Sequence, residues 1–352
     1  MTAPQLILDL TRRFADNRVD YHLRYNETQL RREFLDPFFE ALGWDVNNRQ
    51  GYAEAYKDVI HEDAIRVGSS TKAPDYSFRV GGTRKFFLEA KRPSVNIAED
   101  REAAFQLRRY AWSAGLPLSI LSDFAEFAVY DCRVKPNRDD RASTARTLYM
   151  TCDEYGARWD EIASLFSREA VLRGAFDRFA EGTKGRRGTA TVDAAFLEEI
   201  ERWREMLAKR LALRNRELST RDLNFAVQRT IDRIIFLRIC EDRGIEPQDQ
   251  LRGLLEGADV YTRMCRLFYR ADERYNSGLF HFQPERGRAE APDEWTLRLS
   301  IDDATLREII KSLYYPNPYE FSVLPADILG QVYERFLGKV IRLTSAHQAK
   351  VE

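Results

Sequence analysis

The stretch that decides the fold is residues 73–93, APDYSFRVGGTRKFFLEAKRP. Two runs rich in aromatic and β-branched residues flank a Gly-Gly pair, a pattern that is typical of a β-hairpin. Residues two apart in a strand point to the same face, so Glu89 and Lys91 share one face of the second strand. Pairing of the two strands can bring Asp75 to that face as well. The sequence therefore predicts that two carboxylates and an ammonium group converge at one end of a hairpin.

These three side chains have the chemistry that phosphodiester hydrolysis requires. Hard carboxylate oxygens are the ligands that Mg²⁺ prefers, and the ion usually keeps waters and takes phosphate oxygens as further ligands. A metal held by Asp75 and Glu89 would lower the pKa of a bound water and stabilise charge on the phosphate. Lys91 would orient the nucleophile or neutralise the charge that develops on the phosphate.

The alternative is that Glu89 and Lys91 lie on an ordinary solvated strand face, which is the commoner origin of so short a pattern. Two features favour the nuclease interpretation. A Pro-Asp pair precedes the hairpin, and the run before Glu89 is largely apolar and aromatic. An acidic residue that follows a buried aromatic run needs a partner.

Composition limits the class of protein but not its chemistry. A length of 352 residues predicts about two domains. The 55 basic and 56 acidic residues nearly cancel, so any basic surface that binds nucleic acid must be local. The four cysteines form no C-x-x-C pair, which argues against a disulfide framework or a zinc site and fits a reducing cytosol. No signal peptide or membrane-spanning apolar run is found, so the sequence predicts a cytoplasmic protein without a membrane partner.

The first half of the chain alternates helix and strand signals. Residues 26–42 show apolar residues every four positions, with Asn26 suited to cap a helix and Pro37 predicting a kink or a break. Residues 45–72 are polar and irregular. Further elements are predicted as a helix at 97–114 and strands at 118–121, 124–130 and 146–151. This order predicts an α/β (α+β) domain with a central mixed sheet over residues 1–181.

The strand signals end near the middle of the chain. Residues 182–189 are rich in glycine and basic residues, and they are the best candidate for a linker. Beyond them the pattern is helical, with a broad apolar stripe over residues 223–237 and a last helix at about 325–343 that has no clear stop. The sequence therefore predicts an all-α connector domain over residues 190–352.

Five more side chains are candidates for the same site. Gln106 and Tyr110 lie one helical turn apart and face the same way, whereas the simpler interpretation is a polar pair on a half-exposed helix. Arg101 and Arg108 lie on that helix too, where they would contact phosphates or form an ordinary solvated face. Glu27 lies in the first turn of its helix, where a carboxylate favours the helix dipole without any catalytic role. Its other interpretation is a third acidic group near the metal.

The order Pro-Asp, then Glu-x-Lys at the end of the next strand, resembles the active-site signature of the PD-(D/E)xK nucleases. A Gln-x-x-x-Tyr helix after it resembles one branch of that superfamily. Longer stretches, such as YNETQLRREFLDPFFEALGWDV at 25–46, are similar to the N-terminal nuclease module of Type IIG restriction-modification enzymes. The stretches LNFAVQRTIDRIIFLRICEDRGIE at 223–246 and FSVLPADILGQVYERFLG at 321–338 resemble the helical connector of that family.

The resemblance implies a site-specific type II deoxyribonuclease module that hydrolyses phosphodiester bonds in unmodified double-stranded DNA. It implies 5′-phosphate and 3′-hydroxyl ends, with dimerisation as a route to double-strand cutting. In that case Asp75 and Glu89 bind Mg²⁺, for which Mn²⁺ would substitute, and Lys91 assists the attacking water. Gln106 and Tyr110 would lie near the metal and contact DNA.

In the family, the connector leads into an N6-adenine methyltransferase domain and a target-recognition domain. These 352 residues contain no Gly-rich S-adenosylmethionine loop and no Asn-Pro-Pro-aromatic motif, since Asn-Pro-Tyr at 317–319 lacks the second proline. We therefore expect S-adenosylmethionine to serve only the full-length enzyme, and this chain to cover the nuclease and the connector. Two alternatives stay open: a non-catalytic DNA-clamping or docking scaffold on a nuclease fold, and a nuclease of another PD-(D/E)xK family.

Overall fold

The computed structural model describes residues 2–61, 74–182, 190–275, 277–284, 291–325 and 340–351. The chain forms two compact units that divide between Val192 and Asp193. The described helices of the first unit are α1 (Gln5–Asp16), α2 (Arg18–Arg24), α3 (Glu27–Leu30), α4 (Asp36–Ala41), α5 (Arg101–Ser113), α6 (Tyr155–Phe166), α7 (Arg168–Leu172) and α8 (Ala175–Gly182). Its strands are β1 (Val59–His61), β2 (Tyr76–Val80), β3 (Thr83–Ala90), β4 (Leu118–Ser122), β5 (Glu126–Asp131) and β6 (Arg146–Thr151).

The strands of the first unit form one six-stranded mixed sheet in chain order, β1 to β6. Among the described strands of this sheet, only β3 and β4 are parallel, and α5 supplies the crossover that a parallel pair needs. The predicted mixed sheet flanked by helices is thereby confirmed. The prediction that residues 45–72 are irregular is wrong at Val59–His61, because three residues at a sheet edge are too few to show the alternation of a strand. Residues 62–72 lie outside the described residues.

Aromatic packing fixes the β2–β3 hairpin within the core of the first unit. Phe78 and Phe86 are paired across the two strands, and their rings stack with centroids 4.3 Å apart. The Trp44 ring packs edge-on against both, and its indole N–H donates to the Phe166 carbonyl at 2.8 Å. Buried aromatic pairs stabilise a core beyond the area they bury. This aromatic packing therefore holds the two strands of the hairpin rigidly in place.

The helical segment that faces this hairpin widens in its middle. Asn26 accepts a hydrogen bond from the N–H of Gln29 at 2.8 Å, which confirms the predicted cap. The segment Arg31–Leu35 is then a π-helical turn that closes with the N–H of Asp36 on the Arg31 carbonyl. The kink or break predicted at Pro37 takes this form, because proline has no N–H and its ring crowds the carbonyl four residues earlier.

The second unit is mainly helical. Its described helices are α9 (Val192–Arg214), α10 (Thr220–Asp242), α11 (Val260–Arg274) and α12 (Asp303–Lys311), and its strands are β7 (Ile341–Leu343) and β8 (Ala349–Val351). The all-α prediction is wrong for β7 and β8, which form a two-stranded antiparallel sheet. The last helix was predicted through residue 343, but the hydrogen bond from the N–H of Thr344 to the Gln348 carbonyl closes a hairpin there instead.

Two predicted features fall mostly outside the described residues. These are the linker at 182–189, of which Gly182 ends α8, and the last helix, of which residues 326–339 are not described. Within the described part of the chain, no helix is both long enough and apolar enough to cross a membrane.

Arg238 is expected to contribute strongly to the stability of the second unit. Its guanidinium lies 2.6 Å from Asp242 and 3.5 Å from Glu241, and all three side chains are buried. Arg238→Ala removes the buried guanidinium that both carboxylates contact, which costs about 3–5 kcal/mol of unfolding free energy. Chemical denaturation measures the loss. Arg221→Ala, an exposed position on the same helix, should change stability by less than about 0.5 kcal/mol, and equal effects of the two variants would contradict this account.

Candidate active site

The β2–β3 hairpin brings together the three residues that the spacing singled out. The antiparallel register pairs Tyr76 with Leu88, which sets Asp75 next to Glu89 at one end of the hairpin. The Oδ2 atom of Asp75 accepts a hydrogen bond from the backbone N–H of Ala90 at 2.7 Å. The Nζ atom of Lys91 lies 2.7 Å from Oε1 of Glu89. Two carboxylates and one ammonium group therefore lie together at the same end of the hairpin.

Burial and like charge act together on Glu89. The residue is only 4% exposed, and its Oε2 atom has no hydrogen-bond partner among the described residues. Burial first, and then the neighbouring Asp75, raise the pKa of Glu89 to about 8, although Lys91 opposes this. Burial lowers the pKa of Lys91, but the carboxylate of Glu89 outweighs it, so the Lys91 pKa is raised. Without a further cation, Glu89 therefore tends to hold a proton and Lys91 stays charged.

Arg31 is a site residue that the sequence reasoning missed. Its Nη1 atom donates to Oδ1 of Asp75 at 3.0 Å, and its Nη2 atom donates to the Asp75 carbonyl at 3.2 Å. Its guanidinium also lies over the Tyr76 ring, 4.6 Å from the centroid. Together with the N–H of Ala90, Arg31 fixes the orientation of the Asp75 carboxylate. One signal could have found it, because Arg31 lies four residues after Glu27 and shares its helical face.

Glu27 lies near the site but does not complete a cluster of ligands. It begins α3, and it is close enough to raise the pKa of both Glu89 and Lys91. Among the residues that the structure describes, no group of three or more His, Cys, Asp or Glu side chains could hold a metal ion. The two carboxylates that could take part in holding a cation are therefore Asp75 and Glu89, and the role of Glu27 as a third acidic group stays a prediction.

Helix α5 carries the remaining candidates, and the prediction that Arg108 contacts a DNA phosphate is wrong. Arg108 is 1% exposed and forms an ion pair of 2.7 Å with Asp140, while its Nη2 atom donates to the carbonyl of Val134. A guanidinium held in this way secures the loop after β5 and is not available to a DNA phosphate. Arg101 is exposed at the start of the helix. The roles of Gln106 and Tyr110, which are half-buried and buried respectively, stay predictions.

Residues 58–138, which include this hairpin, match the family model described as "Type I restriction enzyme R protein N terminus". The chain is also 39% identical over 339 residues to "Type II restriction enzyme and methyltransferase RM.Eco57I" from Escherichia coli. By these two matches, the chain is similar to restriction-modification enzymes. The resemblance inferred from the sequence is thereby confirmed.

The extent of these matches is uneven. The alignment to RM.Eco57I covers 95% of this chain but only 33% of the relative, so the chain spans about a third of that protein's length. A solved structure, described as "Characterization and crystal structure of the type IIG restriction endonuclease BpuSI", is 13% identical and aligns with 87% of this chain and 30% of its own. Its TM-score of 0.25 is too low to support a shared fold.

Proposed function

We propose that the first unit is a Mg²⁺-dependent DNA endonuclease module with a PD-(D/E)xK site, carried by a restriction-modification enzyme of the Type IIG kind. The observation that carries this proposal is the buried Oε2 atom of Glu89, which lies beside Asp75 without a hydrogen-bond partner among the described residues. The kinship with RM.Eco57I supports DNA as the substrate. It also supports a methyltransferase domain as a partner outside these residues, whereas a target-recognition domain is implied by the family resemblance alone.

The donor set fits a hard divalent cation. Mg²⁺ is commonly held by one or two carboxylates together with waters and substrate phosphates, and Asp75 and Glu89 supply the carboxylates. A cation there would compensate both the burial and the charge of Glu89, which no hydrogen bond to Oε2 relieves within the described residues. When bound, Mg²⁺ would supply a water of lowered pKa and offset negative charge on the phosphate.

The protein's own groups would orient the reactants. Arg31 and the N–H of Ala90 hold the two oxygens of Asp75 in place. Lys91 is fixed by Glu89, and because its pKa is raised it acts as a charged hydrogen-bond donor and not as a base. It would orient the attacking water and stabilise charge on the phosphate as the bond from phosphorus to the 3′ oxygen breaks. The products are then a 3′-hydroxyl and a 5′-phosphate.

Binding of Mg²⁺ is expected to strengthen as the pH rises toward about 8, the pKa of Glu89. The cation must displace the proton, so affinity should rise up to about tenfold per pH unit below that pKa. The thermal unfolding midpoint with and without Mg²⁺ measures this, and plasmid cleavage in Mg²⁺ against EDTA tests the reaction. Asp75→Asn should lose both effects. Cleavage without a cation, or unchanged Mg²⁺ stabilisation of Asp75→Asn, would contradict the proposal.

A further inference from the structure

A polar cleft of about 500 Å³ opens next to the carboxylate site. It lies between the helical segment that contains the π turn and the β1–β2 edge of the sheet. Its lining residues are Thr28, Arg31, Arg32, Asp36, Asn47, His61 and Tyr76. Arg31 belongs to both places, because it lines the cleft and donates to Asp75. A ligand in the cleft would therefore lie beside the proposed point of cleavage.

The charged residues that line the cleft differ in their exposure and in their partners. Arg31 is balanced by Asp75, to which it is ion-paired. Asp36 is buried and accepts a hydrogen bond from the Tyr76 hydroxyl at 2.7 Å, so its carboxylate is held in the wall of the cleft. Arg32 forms no ion pair with any residue that the structure describes. Arg32, which is exposed, is therefore the cation that the cleft offers to a ligand, and it favours an anion.

One wall of the cleft is held in a fixed geometry. The Nε2 atom of His61 faces the Val46 carbonyl at 3.0 Å, and a carbonyl only accepts, so Nε2 carries the proton. The lone pair of Nδ1 is then directed at Nη2 of Arg31, 3.4 Å away. Arg31 also lies over the Tyr76 ring. The cleft is therefore lined by a planar cation whose orientation is set before any ligand binds.

We propose that this cleft binds one backbone phosphate of the DNA strand, next to the phosphate that is cleaved. Arg32 is the principal cation, and the hydroxyl of Thr28 can donate from the first turn of α3. Phosphate contacts of this kind fix the register of the duplex without reading its sequence. The inference rests on the proposed function only in that its ligand is DNA.

The test measures binding of a short unmodified duplex in EDTA by fluorescence anisotropy over a range of salt concentrations. Removing one phosphate contact should lower the slope of log K against log salt by about one, so Arg32→Gln should bind several-fold more weakly at about 0.1 M salt. The matched control is Arg12→Gln, which removes the same charge from an exposed arginine of α1 whose side chain is 71% accessible. Its slope and affinity should equal those of the wild-type protein.

Each other outcome overturns the inference. Equal slopes for Arg32→Gln and the wild-type protein, equal losses for Arg32→Gln and Arg12→Gln, or no duplex binding by the wild-type protein would each do so. Millimolar inorganic phosphate is the second probe, and ³¹P NMR measures its binding. Arg32-dependent binding of inorganic phosphate with an unchanged duplex slope would identify a free-phosphate site instead. Because no metal is present, a failure of the nuclease proposal appears separately, as lost Mg²⁺-dependent cleavage with the duplex result intact.

Discussion

Glu89→Gln is expected to abolish DNA cleavage while making the metal-free protein more stable. Cleavage should fall because the amide removes one of two anionic ligands from the proposed cation site. Metal catalysis contributes several kcal/mol to transition-state stabilisation, which corresponds to about 10³-fold or more in rate. Stability should rise because the neutral amide replaces a carboxylate that is buried beside Asp75.

The sign and the pH window of the stability effect follow from the raised pKa. The pKa of Glu89 rises from 4.5 to about 8 on folding, so its contribution to stability is fully present below about pH 4.5 and is lost as the pH rises through about 8. Each pKa unit corresponds to about 1.4 kcal/mol, which makes the loss a few kcal/mol. Glutamine cannot ionise, so its advantage over the wild-type residue should be largest above about pH 8.

The measurements are plasmid cleavage in Mg²⁺ and denaturant unfolding in EDTA at several pH values. Glu99→Gln makes the same change at an exposed position of the first unit, and it should leave both cleavage and stability unchanged. Cleavage by Glu89→Gln within tenfold of the wild-type rate would remove Glu89 from the cation site. A variant that is less stable than the wild-type protein at high pH would show that the carboxylate is well compensated without metal.

Local patterns explain why Asp75, Glu89 and Lys91 could be placed from the sequence. A strand repeats every two residues and a hairpin pairs neighbours in the chain, so the three side chains follow from one short stretch. The ion pair between Arg31 and Asp75 joins residues 44 apart, and no periodicity reports a contact over that distance. The sequence offers a single indication of Arg31, which is its position one helical turn after Glu27.

Burial determines whether a candidate residue can reach a ligand, and composition does not report it. Arg108 has the sequence appearance of an exposed helical cation, but the loop that contains Asp140 closes over it. The β1 strand and the β7–β8 hairpin are three residues per strand, which is shorter than any pattern that alternation can identify. The π turn before Pro37 likewise results from the joint effect of a missing N–H and a continuous buried face.

Lys91→Ala is expected to lower the cleavage rate by about 10²–10³-fold or more, while DNA binding persists, and methylation too in the longer enzyme proposed above. Removing one preorganised donor from a developing charge has a cost of this size. The contact acts on the transition state, so its loss should leave recognition of DNA intact. Lys91→Arg keeps the positive charge but changes the geometry of the donors, and it should recover part of the rate.

The structure adds a second consequence that separates chemistry from folding. Lys91 is the partner of the buried Oε1 atom of Glu89. Above about pH 8, where Glu89 is ionised, removal of Lys91 leaves a buried carboxylate without its cation and should also destabilise the metal-free protein. Mg²⁺ bound to Glu89 would restore that stability but not the rate. Cleavage, methylation, duplex binding and thermal unfolding of one purified variant, each with and without Mg²⁺, distinguish the two effects. Wild-type cleavage by Lys91→Ala would exclude Lys91 from the mechanism, and a rate that recovers together with stability would reduce it to a residue that positions Glu89.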